Sequence, residues 1–157
     1  MSRFFVSFRM HNSGWAIVAY CLAFGLWRFG WSLGIPTGIL LLAILLVHEV
    51  GHMLVAISLG VPVREFGLRL VGAYNRRAYA DRRRDEIFIA AAGPLTNIVL
   101  TVPLSYIPTI GSQLALCSFV LGLVNLLPIP SSDGGRILRN LLPSKNPDRD
   151  PAWSVPQ

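Results

Sequence analysis

The chain has 157 residues, about one domain's worth, of which 53% are hydrophobic and only 14% charged, well below the quarter usual in soluble domains. With a positive mean hydropathy, that excludes a soluble globular protein, which would lack the polar surface to coat so much apolar material. The formal charge of +6 would suit nucleic acid, but its arginines cluster beside apolar runs and read as membrane-topology signals, so no nucleic-acid partner is expected.

Four apolar runs approach the length of about 20 residues that spans a bilayer. The first covers 14–33. Arg3 and Arg9 precede it as in a signal peptide, but it ends in "WRFGWSLG" without a small-residue cleavage site and reads as a retained span. Arg28, between Trp27 and Trp31, snorkels to the headgroups there. An uncharged turn at 34–35 leads to the second run, 36–60. Segment 61–80 then changes character. Phe66, Leu68 and Leu70 alternate with Gly67, Arg69 and Val71, the period of a strand. Gly72 turns it toward a second strand, Tyr74 to Ala80, and "SRFFVSFRM" offers a third. The stretch "DRRRDE" at 81–86 reads as a solvated face near headgroups. The third run is 86–108, and after a second uncharged turn at 109–111 the fourth is 112–128. Pro128 and Pro130 break that last helix, and Gly134 and Gly135 let the backbone turn back close to its neighbours. Cys21 and Cys117 fall inside apolar runs and read as packing residues.

The basic residues sit in 1–13, in 61–85 with seven arginines (Arg64, Arg69, Arg76, Arg77, Arg82, Arg83, Arg84), and in the tail with Arg136, Arg139, Lys145 and Arg149. Four spans put all three segments on one side, which the positive-inside rule makes the cytoplasm, with both termini there. The fold class expected is an all-α polytopic membrane protein with about four transmembrane helices, a small cytoplasmic-side β-hairpin or sheet, and a broken fourth helix carrying a metal ligand. Residues 1–142 form one domain and 143–157 a short polar tail.

The second run carries "HEVGH" in its apolar stretch, and hydrocarbon makes ionisable groups there costly. His48 and His52 are one helical turn apart on one face, so both imidazoles can bind one metal ion, while Glu49 flanks that face. This is zincin logic: two histidines hold zinc, zinc acidifies a water, and the glutamate takes its proton. The remaining histidine, His11, precedes the first span, so the third ligand is expected to be a carboxylate. Topology brings Asp133, in "NLLPIPSSDGGR", to the depth of His48 and His52. Asn97, after "AAAGPLT", reads as interhelical hydrogen-bond glue among small residues. For Asn125, glue and an amide aimed at a developing oxyanion stand level.

HEVGH, "AAGPLTN" and "NLLPIPSSDGGR", in that order on three spans within 36–142, resemble the site-2 protease family of intramembrane zinc metalloproteases. The resemblance implies a zinc endopeptidase with one zinc ion per chain, cutting membrane-anchored proteins in or beside their spans, in the inner cell membrane. His48, His52 and Asp133 match the family's metal ligands, Glu49 its acid/base and Asn125 the position that assists the transition state. Gly93, Pro94, Asn97, Pro128, Pro130 and Gly134 fall at structural or substrate-cleft positions. The PDZ or CBS domain carried by many members is not found, which resembles the smallest members or a truncated form. Competing readings are a metal-ion transporter and a non-catalytic membrane scaffold of the same fold. The strands at 61–80 read equally as an edge for an extended substrate or as a cap over the cytoplasmic face.

Overall fold

Gly30 decides how the first apolar stretch folds. Helix α1 (Gly14–Ser58) is helical on both sides of it, but Gly30 itself has φ 67° and ψ −170°, a conformation that favours glycine. Along an unbroken helix Gly25 and Gly34 would stand about 13 Å apart. Instead the Gly34 carbonyl oxygen lies only 2.2 Å from where a Gly25 Cβ would be, and a Cβ on Gly38 would sit 2.8 Å from the Leu22 Cα. Residues 14–29 and 31–58 are therefore two arms of a hairpin. Gly34 and Gly38 form a small-residue face that lets the arms touch, backbone to backbone. The turn falls at Gly30, not at 34–35 as read from the sequence; Pro36 lies inside the second arm.

The structure, a computed structural model, describes residues 7–69 and 72–142. The expected tail 143–157, with Lys145 and Arg149, lies outside the described residues, as do Arg3 and the start of the N-terminal strand. After α1 come strands β2 (Val63–Arg69) and β3 (Gly72–Arg77), preceded in the chain by β1 (Ser7–Met10). They form one sheet in the order β1-β2-β3, with β1 parallel and β3 antiparallel to β2. The second strand is thus shorter than the 74–80 expected and starts earlier.

The period of two sorts the sheet's side chains. One face carries Phe66, Leu68, Ala73, Asn75 and Arg77, with Leu68 paired to Ala73 and Phe66 to Asn75. Leu68 is buried, and Asn75 and Arg77 both bond to helical carboxylates, so this face meets the helices. The other face holds Glu65, Arg69 and Tyr74: the Tyr74 hydroxyl donates to Glu65 at 2.5 Å and the Arg69 guanidinium lies 4.1 Å from the Tyr74 ring. Burial and that hydrogen bond raise the Tyr74 pKa, while the same bond lowers that of Glu65.

Helix α2 (Arg83–Ser105) packs on α3 (Gly111–Leu126) through small residues. A Cβ on Gly122 would lie 2.8 Å from the Pro94 carbonyl, and the buried Ser118 hydroxyl donates to the Asn97 carbonyl at 2.8 Å. Helix α3 stops at Leu126, and residues 127–132, with Pro128 and Pro130, lead into helix α4 (Asp133–Leu141). The Ser132 hydroxyl caps α4, accepting from the Gly135 N–H at 3.1 Å. Gly134 and Gly135 pack against the Leu126 and Ile129 carbonyls with no room for a Cβ. The break expected from the prolines is the bridge between α3 and α4.

Two helices, α1 and α2, are long and apolar enough to cross a membrane, and α3 is a shorter apolar helix. Their outward faces are apolar too: Val99 is 70% exposed, Leu54 60% and Leu116 61%. A soluble protein's core helix buries such a face, whereas lipid solvates it. The chain is an integral membrane protein with a mostly helical fold.

Candidate metal centre

The second arm of α1 supplies His48, Glu49 and His52, and α4 supplies Asp133 at its first residue. The spacing of four residues brings the two imidazoles edge to face, with ring centres 4.8 Å apart and planes at 82°. Their Nε2 atoms lie 3.2 Å from each other. Asp133 Oδ2 completes a triangle, 3.2 Å from His48 Nε2 and 3.1 Å from His52 Nε2. All three side chains are buried.

The second nitrogen of His52 fixes its chemistry. Nδ1 lies 2.6 Å from the Ile89 carbonyl, which only accepts, so Nδ1 carries the hydrogen and donates it. The Gly93 N–H, 3.3 Å from the same nitrogen, is then a packing contact and not a second hydrogen bond. With its proton on Nδ1, neutral His52 turns a lone pair from Nε2 toward the Asp133 carboxylate. Two acceptors 3.1 Å apart in a buried site repel unless a proton or a metal cation lies between them. The triangle's size fits the latter. Bonds of about 2.0–2.1 Å to a tetrahedral zinc separate neighbouring ligand atoms by roughly 3.3 Å. Donor set, burial and spacing all suit zinc, and the backbone carbonyl on His52 Nδ1 is the outer partner that metal-bound histidines use.

Glu49 stands beside the triangle, half-buried, with a carboxylate oxygen within 4.8 Å of both histidine nitrogens. Its Oε2 accepts from the Asn75 amide of β3 at 2.6 Å. Gly93 forms the wall opposite: a Cβ there would overlap His52 Nε2 and lie 2.8 Å from His48 Nε2. Pro94 and Asn97 are buried on the same helix. The Asn97 amide makes no hydrogen bond among the described residues, so the glue between α2 and α3 is its backbone carbonyl with Ser118, not its side chain. Asn125 donates to the Leu121 carbonyl one turn back at 2.9 Å and so lies along its own helix. Pro128 and Pro130 are exposed in the bridge, Gly134 is buried beneath it, and His11 pairs with Ser13 near β1.

Three groups escaped the sequence reading. Asn75 is one. Glu86 is another: grouped with the solvated 81–86 stretch, it is 1% exposed and held by the Arg77 guanidinium and, at 3.2 Å, the Ala80 N–H. Arg136 is the third, its Nε 3.8 Å from Glu86 and its Nη1 4.0 Å from Asp133 Oδ1. Glu86, Ile89, Gly93 and Asn97 recur at helical spacing, and that periodicity was the available signal for Glu86.

These features define a class: a small helical membrane fold with two histidines and an aspartate converging on one point and a glutamate beside it. The fold matches the solved site-2 protease from Methanocaldococcus jannaschii with a TM-score of 0.69, covering 87% of this chain and 67% of that one at 24% identity. The chain belongs to peptidase family M50, whose model matches residues 37–113 and 107–152. It is 32% identical over 123 residues to sll0528 of Synechocystis sp., covering 71% of this chain and 32% of that protein. It is 33% identical over 126 residues to Rip3 of Mycobacterium tuberculosis, again 71% of this chain and 32% of that protein. Zinc metalloprotease MJ0392 of M. jannaschii is 32% identical over 119 residues, 68% of this chain and 34% of its own length. The chain spans about a third of the length of these curated relatives.

Proposed function

We propose that this chain is an intramembrane zinc endopeptidase that cleaves membrane-anchored proteins in or beside their spans. The observation that carries the reading is the buried triangle of His48 Nε2, His52 Nε2 and Asp133 Oδ2 with the Glu49 carboxylate at its side. Relatives named as zinc metalloproteases support zinc as the ion. His48, His52 and Asp133 would hold one zinc per chain, and residues 1–142 would form the catalytic domain. Zinc supplies Lewis acidity, lowering the pKa of a water and polarising the scissile carbonyl.

This chain's residues do the rest. Glu49 takes the proton of the attacking water at a carboxylate oxygen and returns it to the leaving amine. Asn125 would turn from the Leu121 carbonyl toward the oxyanion, exchanging one hydrogen bond for another. A substrate helix hides its peptide bonds in its own hydrogen bonds, so cleavage needs an extended stretch. β3 is an edge strand and reaches Glu49 through Asn75, so an extended segment added along it would pass the site. The hairpin of α1, with α2 and α3, makes four spans. The arginines at 64–84 support a reading in which the sheet, both termini and the site's water access are on the cytoplasmic side.

The test is zinc per chain and cleavage of a membrane-anchored model substrate by detergent-purified protein. Wild type should hold about one zinc and cut. Glu49→Gln should hold the same zinc and not cut; full activity in that variant sinks the mechanism.

A further inference from the structure

The Glu49 carboxylate has one side-chain hydrogen-bond donor among the described residues, and it comes from the sheet. Asn75 Nδ2 donates to Glu49 Oε2 at 2.6 Å across 26 positions of sequence. We propose that Asn75 is a positioning residue that holds Glu49 in its working orientation beside the histidine–aspartate triangle. The inference rests on the peptidase reading above.

The donor is itself held firmly. Two residues along the same face of β3, Arg77 is locked to the buried Glu86 of α2 by two hydrogen bonds. Two residues the other way, Ala73 pairs with Leu68, which is 4% exposed. Asn75 itself pairs with Phe66 in the ladder. The amide therefore arrives at Glu49 from a strand fixed on three sides, and outer partners must be rigid to orient a reacting group.

The residue type suits the task. An amide donates to a carboxylate whether or not that carboxylate later carries a proton on its other oxygen, and cannot itself take the proton. A lysine or arginine here would hold Glu49 as a permanent ion pair and oppose its protonation. By tying down Oε2, Asn75 leaves the other oxygen, Oε1, to carry the proton between water and leaving amine. A mere latch between sheet and helices is already supplied by Arg77 and Glu86, whereas the bond of Asn75 falls on the carboxylate that carries the proton.

The experiment compares Asn75→Ala, Asn75→Asp and Tyr74→Phe in the full chain, purified in detergent, with the membrane-anchored model substrate. Tyr74→Phe leaves unchanged the β3 backbone with which an added strand would pair, and removes only a hydrogen bond to Glu65 on the opposite face of the sheet. Asn75→Ala should lower kcat about 10–100-fold, the usual cost of removing an orienting partner, with KM, zinc per chain and Tm unchanged. Asn75→Asp, which sets a second carboxylate against Glu49, should be slower still. Tyr74→Phe should keep its kcat. Wild-type kcat in Asn75→Ala overturns the inference and leaves the peptidase reading intact. So does a loss of kcat that Tyr74→Phe reproduces or that tracks a fall in Tm, because that is the behaviour of a latch. No turnover in the zinc-loaded wild type overturns the peptidase reading and this inference with it.

Discussion

Gly93 lies against His52 so closely that a side chain on it would overlap the imidazole Nε2 and press on that of His48. Helix α2 is thus the back wall of the proposed metal centre. The absence of a Cβ is what leaves room for the Nε2 atoms of both histidines beside that wall. Gly93 is buried in ordinary helical backbone, so the requirement is close approach and not an unusual dihedral.

Gly93→Ala should therefore damage the metal site more than the fold. Alanine favours the helix over glycine by about 1 kcal/mol. The overlap with two imidazoles costs about 1–3 kcal/mol as overpacking. Zinc affinity should fall by roughly a factor of ten or more, since 1.4 kcal/mol is tenfold. Competition with a chelator of known affinity measures it. Zinc affinity equal to wild type would mean the histidines take another position when the ion is bound.

Metal removal should destabilise the protein in a way that depends on Asp133. Without a metal ion, only a proton taken up between His52 Nε2 and the Asp133 carboxylate, 3.1 Å apart in a buried site, relieves the repulsion of the two acceptors. Chelation should lower Tm, and added zinc should restore it, because a ligand bound to the native state at a hundred times its Kd contributes about 2.7 kcal/mol. Asp133→Asn replaces the repelling oxygen or pairs it with an amide donor. That variant should lose zinc, yet its Tm should be indifferent to chelator. His48→Ala and Asp133→Ala should likewise lose zinc. A chelator-sensitive Tm in Asp133→Asn would argue that the ion is held without this carboxylate.

Much of this site is legible in the sequence because it rests on short-range spacing. His48 and His52 are one turn apart whatever the tertiary fold, and Pro128 and Pro130 cannot continue a helix that ends at Leu126. Asp133 follows from counting spans. The hairpin turn is less legible: residues 14–58 are apolar nearly throughout, and Gly25, Gly30, Gly34 and Gly38 look alike until their contacts are known. Gly34 and Gly38 pack the arms, while Gly30 alone adopts the positive φ. Asn75 and Glu86 are illegible for a different reason. Their partners depend on sheet register and on which strand face meets the helices, and a two-residue period does not say which face that is.

The arms themselves should be intolerant of bulk. A Cβ on Gly34 would lie 2.6 Å from the Leu26 Cα, backbone that cannot swing aside as a side chain can. Gly34→Leu should force the arms apart and lower stability by about 1–3 kcal/mol or more. Gly30→Ala should also destabilise, but by dihedral strain of about 1–3 kcal/mol, since open space surrounds that position. Reversible unfolding in detergent, comparing Gly34→Leu with Gly34→Ala and Gly30→Ala, separates the two causes: the cost at position 34 should grow with side-chain size.

Glu86 gives the largest stability effect expected in this chain. Its carboxylate is 1% exposed and receives the Arg77 guanidinium and the Ala80 N–H. Arg77 is nearly as buried, its side chain 6% exposed. Removing one member of such a pair strands the other charge, at a cost of about 3–5 kcal/mol. Glu86→Gln should therefore lower stability by about that much and loosen both the sheet and α4, since Arg136 also leans on Glu86 at 3.8 Å. Removing both charges together is a different matter, because neither partner is then left buried with an unpaired charge. Glu86→Gln/Arg77→Met should recover most of the loss. Unfolding of the two single variants and the double variant forms a cycle whose coupling energy is the measurement. Additive losses would show that Arg77 and Glu86 hold the sheet to α2 independently, and that the ion pair between them is not the joint.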